Sequence, residues 1–148
     1  MNISYQKFIA EPSKEIVEEI TVLHREIFGG PGHWLEKLNS QEHVLIHVAL
    51  VDSHVAGYKI GYGLDGQTFY SWLGGVRPDY RKLGIASELM RRQHEDLKDM
   101  GYEIVRTKTM NKWRGMLLLN IQTGFDVLET EVDQRGQLKI VLEKKLFS

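Results

Sequence analysis

The first half of the chain changes from a strand-like to a helix-like pattern of hydrophobic residues. Residues 3–10 alternate between apolar and polar side chains, and this alternation predicts a strand. Pro12 and Ser13 then introduce a segment with apolar residues at helical spacing, and the predicted helix ends at the GGPG run of residues 29–32. The apolar positions of this helix are Ile16, Ile20, Leu23 and Ile27. A second, short helix is expected at residues 33–38.

Three consecutive strands are predicted in the middle of the chain. Residues 43–52 are rich in β-branched and apolar side chains, which indicates a buried strand. Residues 54–64 form a second strand, and residues 67–76 form the strand that returns beside it. Asp65-Gly66 separates these two strands, and we expect it to make a tight turn with positive φ angles.

The second half of the chain predicts two further helices and three further strands. Residues 84–100 read as a helix that stops before a glycine, and residues 102–110 read as a strand. Residues 111–124 are expected to form a helix, and the segments 125–132 and 136–147 a closing hairpin. The pattern as a whole predicts an α/β or α+β fold with a mixed sheet flanked by about four helices, in one domain spanning residues 1–148.

Composition narrows the possible functions more by exclusion than by direct indication. The net charge is −1, so bulk electrostatics give no sign of nucleic-acid or membrane partners. The chain has no cysteine, which excludes disulfides, thiolate catalysis and cysteine-ligated zinc. No apolar run is long enough to span a bilayer, and the first residues lack the features of a signal peptide. We therefore expect a cytoplasmic protein.

Several familiar motifs are absent or match only by chance. Residues 61–66 fit the dinucleotide fingerprint G-x-G-x-x-G, but a strand rather than a helix is predicted to follow. His43 and His47 would lie on one face of a strand with backbones roughly 13 Å apart, too far to share one metal ion. We expect no metal site and interpret the six histidines as surface and loop residues. Neither a nucleophile elbow nor a phosphate-binding P-loop occurs.

The segment Arg81-Lys82-Leu83-Gly84-Ile85-Ala86 is the strongest candidate for a ligand site. It runs from a proline-marked turn into a predicted helix. The first turn of a helix has N–H groups without intrahelical partners, and these donors, together with the helix dipole, attract anions. Glycine and alanine leave room for a bulky anion, and the two basic residues add charge. A plain strand–turn–helix with a solvated basic pair explains the residues equally well.

The longer frame around this segment resembles the GCN5-related N-acetyltransferase (GNAT) family. The frame GGVRPDYRKLGIASELM contains the family signature [Q/R]-x-x-G-x-[G/A], preceded by a strand that ends in valine and by a proline. A second block is similar to the family's last helix, with Asn111, Asn120 and the pair Gly124-Phe125. The order of elements also resembles the family fold, a mostly antiparallel sheet of about seven strands.

The resemblance implies that acetyl-CoA is the co-substrate and that an amine is acetylated. Pantetheine would lie where the strand ending at Val76 splays from the strand that starts near Tyr102, and the loop 81–86 would hold the pyrophosphate. The residues expected to contact the cofactor are Gly74, Gly75, Val76, Arg81, Lys82, Leu83, Gly84, Ile85, Ala86, Asn111 and Asn120.

The catalytic groups are less visible than the cofactor site. Many family members carry a tyrosine as a general acid where this chain has Asn120, which cannot donate a proton in that sense. Glu26, His33 and Tyr70 are candidates for the base that deprotonates the amine. An acetyl-CoA-binding sensor or partner protein with weak or no catalysis therefore stays an alternative, as does an interaction module without cofactor.

The acceptor is equally open, whether a small molecule or a peptide amine. The first helix is acidic, which would suit a cationic amine, although a charged helix face is more often only solvated. Its acidic residues are Glu15, Glu18, Glu19 and Glu26. A homodimer that uses the final strand as an edge is also open.

Overall fold

Seven strands and four α-helices build the described part of the chain, in the order that the sequence pattern predicts. The computed structural model describes residues 2–30 and 33–147. The strands are β1 (Ile3–Phe8), β2 (Val44–Val51), β3 (His54–Gly63), β4 (Thr68–Val76), β5 (Ile104–Thr109), β6 (Asp126–Val132) and β7 (Leu138–Lys145). The helices are α1 (Lys14–Phe28), α2 (Trp34–Asn39), α3 (Ile85–Asp99) and α4 (Arg114–Gln122), with a short 3-10 turn at Pro78–Tyr80 before α3.

The strands form one mixed sheet in the order β1-β2-β3-β4-β5-β7-β6. All neighbours are antiparallel except β4 and β5, which are parallel. A parallel neighbour requires a crossover connection, and α3 provides it between β4 and β5. The expected fold, a mostly antiparallel seven-stranded sheet with four helices, is confirmed.

The two faces of the sheet bury separate hydrophobic clusters. On one face, α1 and α2 pack through Ile20, Leu23 and Leu38 against β2 and β3. On the other face, α3 packs through Leu89 and Leu97, and α4 adds Leu117. The helical spacing of apolar residues in α1 and α3 creates the stripes that these faces need. The helices therefore hold both sides of the sheet and leave the ends of the strands for a site.

Most predicted boundaries agree with the structure to within a few residues, and α4 differs most. Its helix starts at Arg114, three residues later than expected, since Trp113 takes the N-cap position with non-helical angles. The Trp113 ring packs edge-on against Phe28 of α1, with ring centroids 4.9 Å apart. This tertiary contact outweighs the local helix pattern.

The Asp65-Gly66 turn also has different chemistry from the one expected. A four-residue loop joins β3 to β4, and neither residue has positive φ. Instead, the Asp65 carboxylate accepts the backbone N–H groups of Gln67 and Thr68, both at 2.8 Å. These bonds hold the pKa of Asp65 below its usual value. The aspartate closes the turn through its side chain and needs no left-handed backbone.

The structure confirms that the first helix ends at the GGPG run, although it describes only the first two residues of that run. Helix α1 ends at Phe28, and Gly29 follows with φ 73°. Pro31 and Gly32 lie outside the described residues. Within the described ranges, no helix is both long and apolar enough to cross a membrane.

Candidate functional site

A gap opens in the sheet where β4 and β5 part. The two strands pair only from Thr68 to Ser71 on β4 and from Ile104 to Thr107 on β5. Beyond Ser71, β4 continues for five residues to Val76 and pairs only with β3. The outer edge of residues 72–76 therefore has no strand neighbour, and its backbone groups are available to a ligand. This parting agrees with the splay that the family resemblance implied.

A bulge in β4 marks the point where the strands part. Ile60 of β3 faces Leu73 and Gly61 faces Ser71, so Trp72 is an extra residue on β4. A Cβ on Gly61 would overlap the Tyr70 carbonyl oxygen and the Phe69 ring. Only glycine allows this close approach of the two strands. The bulge follows directly after Ser71, the last residue of β4 that pairs with β5, and a bulge bends its strand at that point.

The turn after β4 leads to an α3 N-terminus without a side-chain cap. Gly84 occupies the N-cap position with φ 80°, and Lys82 also has a positive φ of 66°. A Cβ on Gly84 would meet no atom within 4 Å, so the space in front of the helix is open. Among the described residues, the first N–H groups of α3 have no hydrogen-bond acceptor. The arrangement provides several backbone donors for an anion.

The basic residues of the turn lie on the surface, while the first helical residue is buried. Arg81, Lys82 and Leu83 are exposed, and the Arg81 Nε donates to the Val76 carbonyl at 3.3 Å. Ile85 is 1% exposed and packs under the helix, so only its backbone can face a ligand. The predicted cofactor residues of β4 and the turn thus lie along one continuous path, from the open β4 edge to the start of α3.

The two asparagines predicted to contact the cofactor lie in different surroundings. Asn111 is exposed in the turn between β5 and α4. Asn120 is 2% exposed on α4, and its side-chain Nδ2 has no hydrogen-bond partner among the described residues. A buried amide donor without a partner costs free energy, so a ligand or a water molecule that accepts from it would be stabilising.

A cavity of about 370 Å³ lies on the α1 side of the sheet, beside the β4 bulge. Trp72 and Leu73 of β4 form part of its wall and belong to the segment that has no β5 neighbour. The remaining walls come from the end of α1, from α2 and from the β6–β7 turn. Their lining residues are His24, Phe28, Gly29, Gly30, His33, Trp34, Lys37 and Arg135. The cavity therefore meets the open β4 edge from the side opposite α3.

His24 is the best-oriented titratable group in this cavity. Its Nδ1 lies 2.6 Å from the Tyr58 hydroxyl of β3. Partial burial lowers the pKa of His24, and burial raises the pKa of Tyr58, so both side chains are neutral at pH 7. The His24 Nε2 has no described partner and is not among the fully enclosed polar atoms. A neutral imidazole with one nitrogen anchored and the other reachable can accept a proton.

The structure separates the three predicted bases. His33 lines the cavity at the N-cap of α2. Glu26 is exposed on α1 and does not line the cavity. Tyr70 lies on β4 outside the lining, packs against Tyr62 with ring centroids 5.6 Å apart, and has a pKa raised by burial to about 12. A tyrosine with such a pKa keeps its proton at neutral pH and is a poor base.

The acidic residues of α1 do not contribute to the cavity either. None of its lining residues is an aspartate or a glutamate. Glu19 instead accepts the backbone N–H of Val55 at 3.1 Å and lies 3.2 Å from His54. The lining therefore gives no support to the idea that the acidic helix face recruits a cationic amine.

Two of the histidines are more deeply buried than expected. His47 and His94 are 3% and 6% exposed. His47 Nε2 lies 2.7 Å from the Asp96 carboxylate, while the ring of His94 packs near Phe125. The expectation of surface histidines was wrong for these two, because His47 lies on β2 beside Asp96 of α3, and His94 lies on the buried face of α3 itself. In the part of the chain that the structure describes, no three His, Cys, Asp or Glu residues are grouped to hold a metal ion.

The sequence analysis missed His24, Lys37, Trp72 and Arg135. Only His24 left a clear signal, since it lies four residues after Ile20 and three before Ile27, on the apolar stripe of α1. A polar residue on such a stripe must find a partner or line a cavity. The other three are ordinary surface or strand residues in the sequence, and only the fold brings them together.

Comparison with known proteins connects this geometry to a family. The model of the acetyltransferase (GNAT) family matches residues 13–113, about two thirds of the chain. No curated protein sequence matches the chain significantly.

Many solved structures have the same fold at low sequence identity. A GNAT family acetyltransferase from Elizabethkingia anophelis with acetyl-CoA bound has a TM-score of 0.79 at 16% identity, covering 97% of this chain and 98% of that one. Ard1 from Thermoplasma volcanium has a TM-score of 0.85 at 14% identity, covering 99% of each chain. The aminoglycoside 6'-N-acetyltransferase from Enterococcus faecium has a TM-score of 0.81 at 11% identity, covering 100% of this chain and 98% of that one.

Proposed function

The chain belongs to the acetyltransferase (GNAT) family, and we propose that it transfers the acetyl group of acetyl-CoA to the amine of a small molecule or peptide. The observation that carries the proposal is the parting of β4 and β5 directly before the uncapped N-terminus of α3. The acetyl-CoA-bound structure from Elizabethkingia anophelis, which has the same fold, supports this choice of co-substrate. We take the whole chain as one transferase domain.

The residues along the gap fit the chemical parts of acetyl-CoA. The open edge of residues 72–76 offers the backbone donors and acceptors that an amide-containing pantetheine arm needs. The N–H groups at the start of α3 suit a pyrophosphate, and no atom within 4 Å of a Cβ at Gly84 blocks its approach to the backbone. Arg81 and Lys82 add positive charge beside that position. The unpartnered Nδ2 of Asn120 supplies one further donor.

The bulge at Trp72 would place backbone N–H groups beside the reacting carbonyl. Bound acetyl-CoA supplies an activated acetyl thioester, whose C–S bond is replaced by a C–N bond to the amine. Backbone N–H groups at the parted end of β4 stabilise the negative charge that develops on the carbonyl oxygen. The cavity lined by Trp72 and Leu73 holds the acceptor on the side opposite α3.

His24 is the group that we assign as general base. An ammonium has no lone pair, so the acceptor must lose a proton before it can attack. For the His24 Nε2 to take that proton, Nδ1 carries the ring hydrogen and donates it to the Tyr58 hydroxyl oxygen, 2.6 Å away. The lowered pKa of His24 keeps the imidazole unprotonated and ready at pH 7. His33 lines the same cavity and has no described hydrogen bond to orient it.

A calorimetric titration with acetyl-CoA tests the proposal through Gly84. A Gly84→Glu change puts a negative side chain into the open space before α3, and we expect acetyl-CoA binding to be lost. Gly101→Glu is the matched control, because Gly101 also has positive φ, also has no atom within 4 Å of a Cβ, and lies at the other end of the same helix. That end is about 22 Å away.

The two glycine variants share their backbone strain and differ only in place. Binding to the wild type and to Gly101→Glu, but not to Gly84→Glu, supports the assignment of the α3 N-terminus. If the wild type does not bind acetyl-CoA, or if both variants bind equally well, the proposed cofactor site is wrong. Circular dichroism of each variant confirms that it is folded.

A further inference from the structure

The charged side chains that line the acceptor cavity, Lys37 and Arg135, are both positive. Lys37 of α2 and Arg135 of the β6–β7 turn line it from different elements, and none of the described carboxylates lines it. Neither side chain has a carboxylate oxygen within 4 Å among the described residues. Two cations without a direct ion-pair partner among the described residues, at a cavity that meets the open β4 edge, favour the binding of a negatively charged group.

Lys37 is held over an aromatic wall of the cavity. Its Nζ lies 5.1 Å from the centre of the Trp72 ring, in a cation–π contact. Trp72 is itself fixed by an edge-on contact with Tyr62 and by its place in the β4 bulge. The contact holds the ammonium beside a wall of the cavity without neutralising it.

Arg135 is presented by a turn of defined geometry. The Asp133 carboxylate accepts the backbone N–H groups of Arg135 and Gln137, both at 2.9 Å, and Gly136 has a φ of 77°. The carboxylate that is nearest in sequence is thus occupied by the backbone and by Lys139, 4.0 Å away. The guanidinium of Arg135 remains available to a ligand.

We propose that the acetyl acceptor is a small amine of amino-acid size that carries a carboxylate or phosphate group, bound between Lys37 and Arg135 with its amine toward His24. This inference rests on the proposed function. The volume of about 370 Å³ is at the lower end of small-molecule sites and suits a ligand of this size. The two cations also disfavour the protonated form of the bound amine, which assists its deprotonation, and they repel polycationic amines.

The test measures release of free coenzyme A thiol with matched pairs of amines. Because the chain contains no cysteine, a thiol reagent gives no background from the protein. The pairs are O-phosphoethanolamine with ethanolamine, β-alanine with β-alaninamide, and the dipeptides Ala-Glu with Ala-Gln, and spermidine serves as polycation. We expect kcat/KM to be at least about tenfold higher for the anionic member of the small-molecule pairs. If kcat/KM favours the anionic member only in the dipeptide pair, the acceptor is a peptide and not a small molecule, and the proposal is overturned.

Charge reversal identifies the residues responsible. Lys37→Glu and Arg135→Glu should each raise KM for the anionic amine about tenfold or more and abolish the preference. Lys14→Glu makes the same charge change at the far end of α1, roughly 15 Å from His24 along the helix, and should leave KM unchanged. Equal rates for both members of every pair, or a preference that survives both reversals, would overturn the inference.

A binding measurement separates this inference from the proposed function. Trp34 and Trp72 line the cavity, so their fluorescence reports its occupancy. If no amine is acetylated, O-phosphoethanolamine is titrated without acetyl-CoA. A saturable change in the wild type that is lost in both reversal variants supports the anion site even without turnover, and the absence of a saturable change refutes it. Failure of acetyl-CoA to bind is detected separately by calorimetry.

Discussion

Lys59 carries a charge that the fold buries without a counter-ion. It lies on β3 under α3, is 8% exposed, and has no carboxylate within 4 Å among the described residues. Desolvation lowers its pKa from 10.5 to about 8. We predict that Lys59→Met, which keeps a side chain of similar length and removes the charge, stabilises the protein at pH 7.

The magnitude follows from the difference between the folded and unfolded pKa values. A shift of about 2.5 units at 1.36 kcal/mol per unit corresponds to about 3 kcal/mol. Below pH 8 the lysine is protonated in both states, so the folded state bears the full cost of the buried charge. Between pH 8 and 10.5 the unfolded chain holds more protons than the folded one, and stability rises with pH. Above pH 10.5 the cost is gone.

The assay is urea denaturation of the wild type and of Lys59→Met at pH 7 and at pH 10.5. We expect the variant to be more stable by about 3 kcal/mol at pH 7, with the advantage mostly lost at pH 10.5. Other groups titrate in the same range, including Lys144 and several tyrosines, but they cancel in the difference between the two proteins. Lys98→Met changes an exposed lysine of α3 as the control. A Lys59→Met advantage that is absent at pH 7, or equal at both pH values, would refute the reasoning.

Two further predictions concern the base and the bulge. His24→Ala should lower kcat/KM about a hundredfold or more and remove the acid limb of the pH profile of kcat/KM. In the wild type this limb lies below pH 6.5, because burial lowers the pKa of His24. The control variant His33→Ala should keep the limb. An unchanged limb in His24→Ala would exclude His24 as the base. Gly61→Ala should destabilise the fold by about 3 kcal/mol, because the added Cβ overlaps Tyr70 and Phe69. Gly66→Ala is the control and should change stability by less than about 0.5 kcal/mol, because no atom lies near a Cβ at that position. Thermal unfolding measures the stability of both variants.

The fold was predictable because its periodic signals are strong and local. The apolar stripes of α1 and α3 and the dense strands β2 and β3 appear directly in the hydrophobic pattern. The errors arose where tertiary contacts or side-chain hydrogen bonds decide the backbone. Trp113 leaves the helical region to pack on Phe28, and Asp65 closes its turn with a carboxylate. The packing of Trp113 has no signal in local propensity, whereas the bond from Gln67 N–H to the Asp65 carboxylate is a local preference of aspartate that the expectation of a positive-φ turn overlooked.

The two halves of the candidate site differed in how far they could be predicted. The turn and the α3 N-terminus form one contiguous segment, so the sequence could propose it from the order of Arg81, Gly84 and Ala86 and from the longer frame around them. The acceptor cavity is assembled from α1, α2, β4 and the β6–β7 turn, which are far apart in sequence. Only the tertiary fold brings Lys37 and Arg135 to the lining of the same cavity.

The presence of Asn120, at the position where many members of the family carry a tyrosine, does not argue against turnover. Its side chain is buried on α4 and cannot serve as an acid. An acid is needed most when a poor leaving group departs. Thiols are much more acidic than alcohols or amines, with a pKa of about 8.5 for free cysteine, so a thiolate is a good leaving group and can depart without a proton donor. A sensor that only bound acetyl-CoA in the gap between β4 and β5 would not need an additional cavity beside these strands that is lined by an accessible imidazole. The cavity at His24 therefore favours catalysis over sensing, with solvent supplying the last proton.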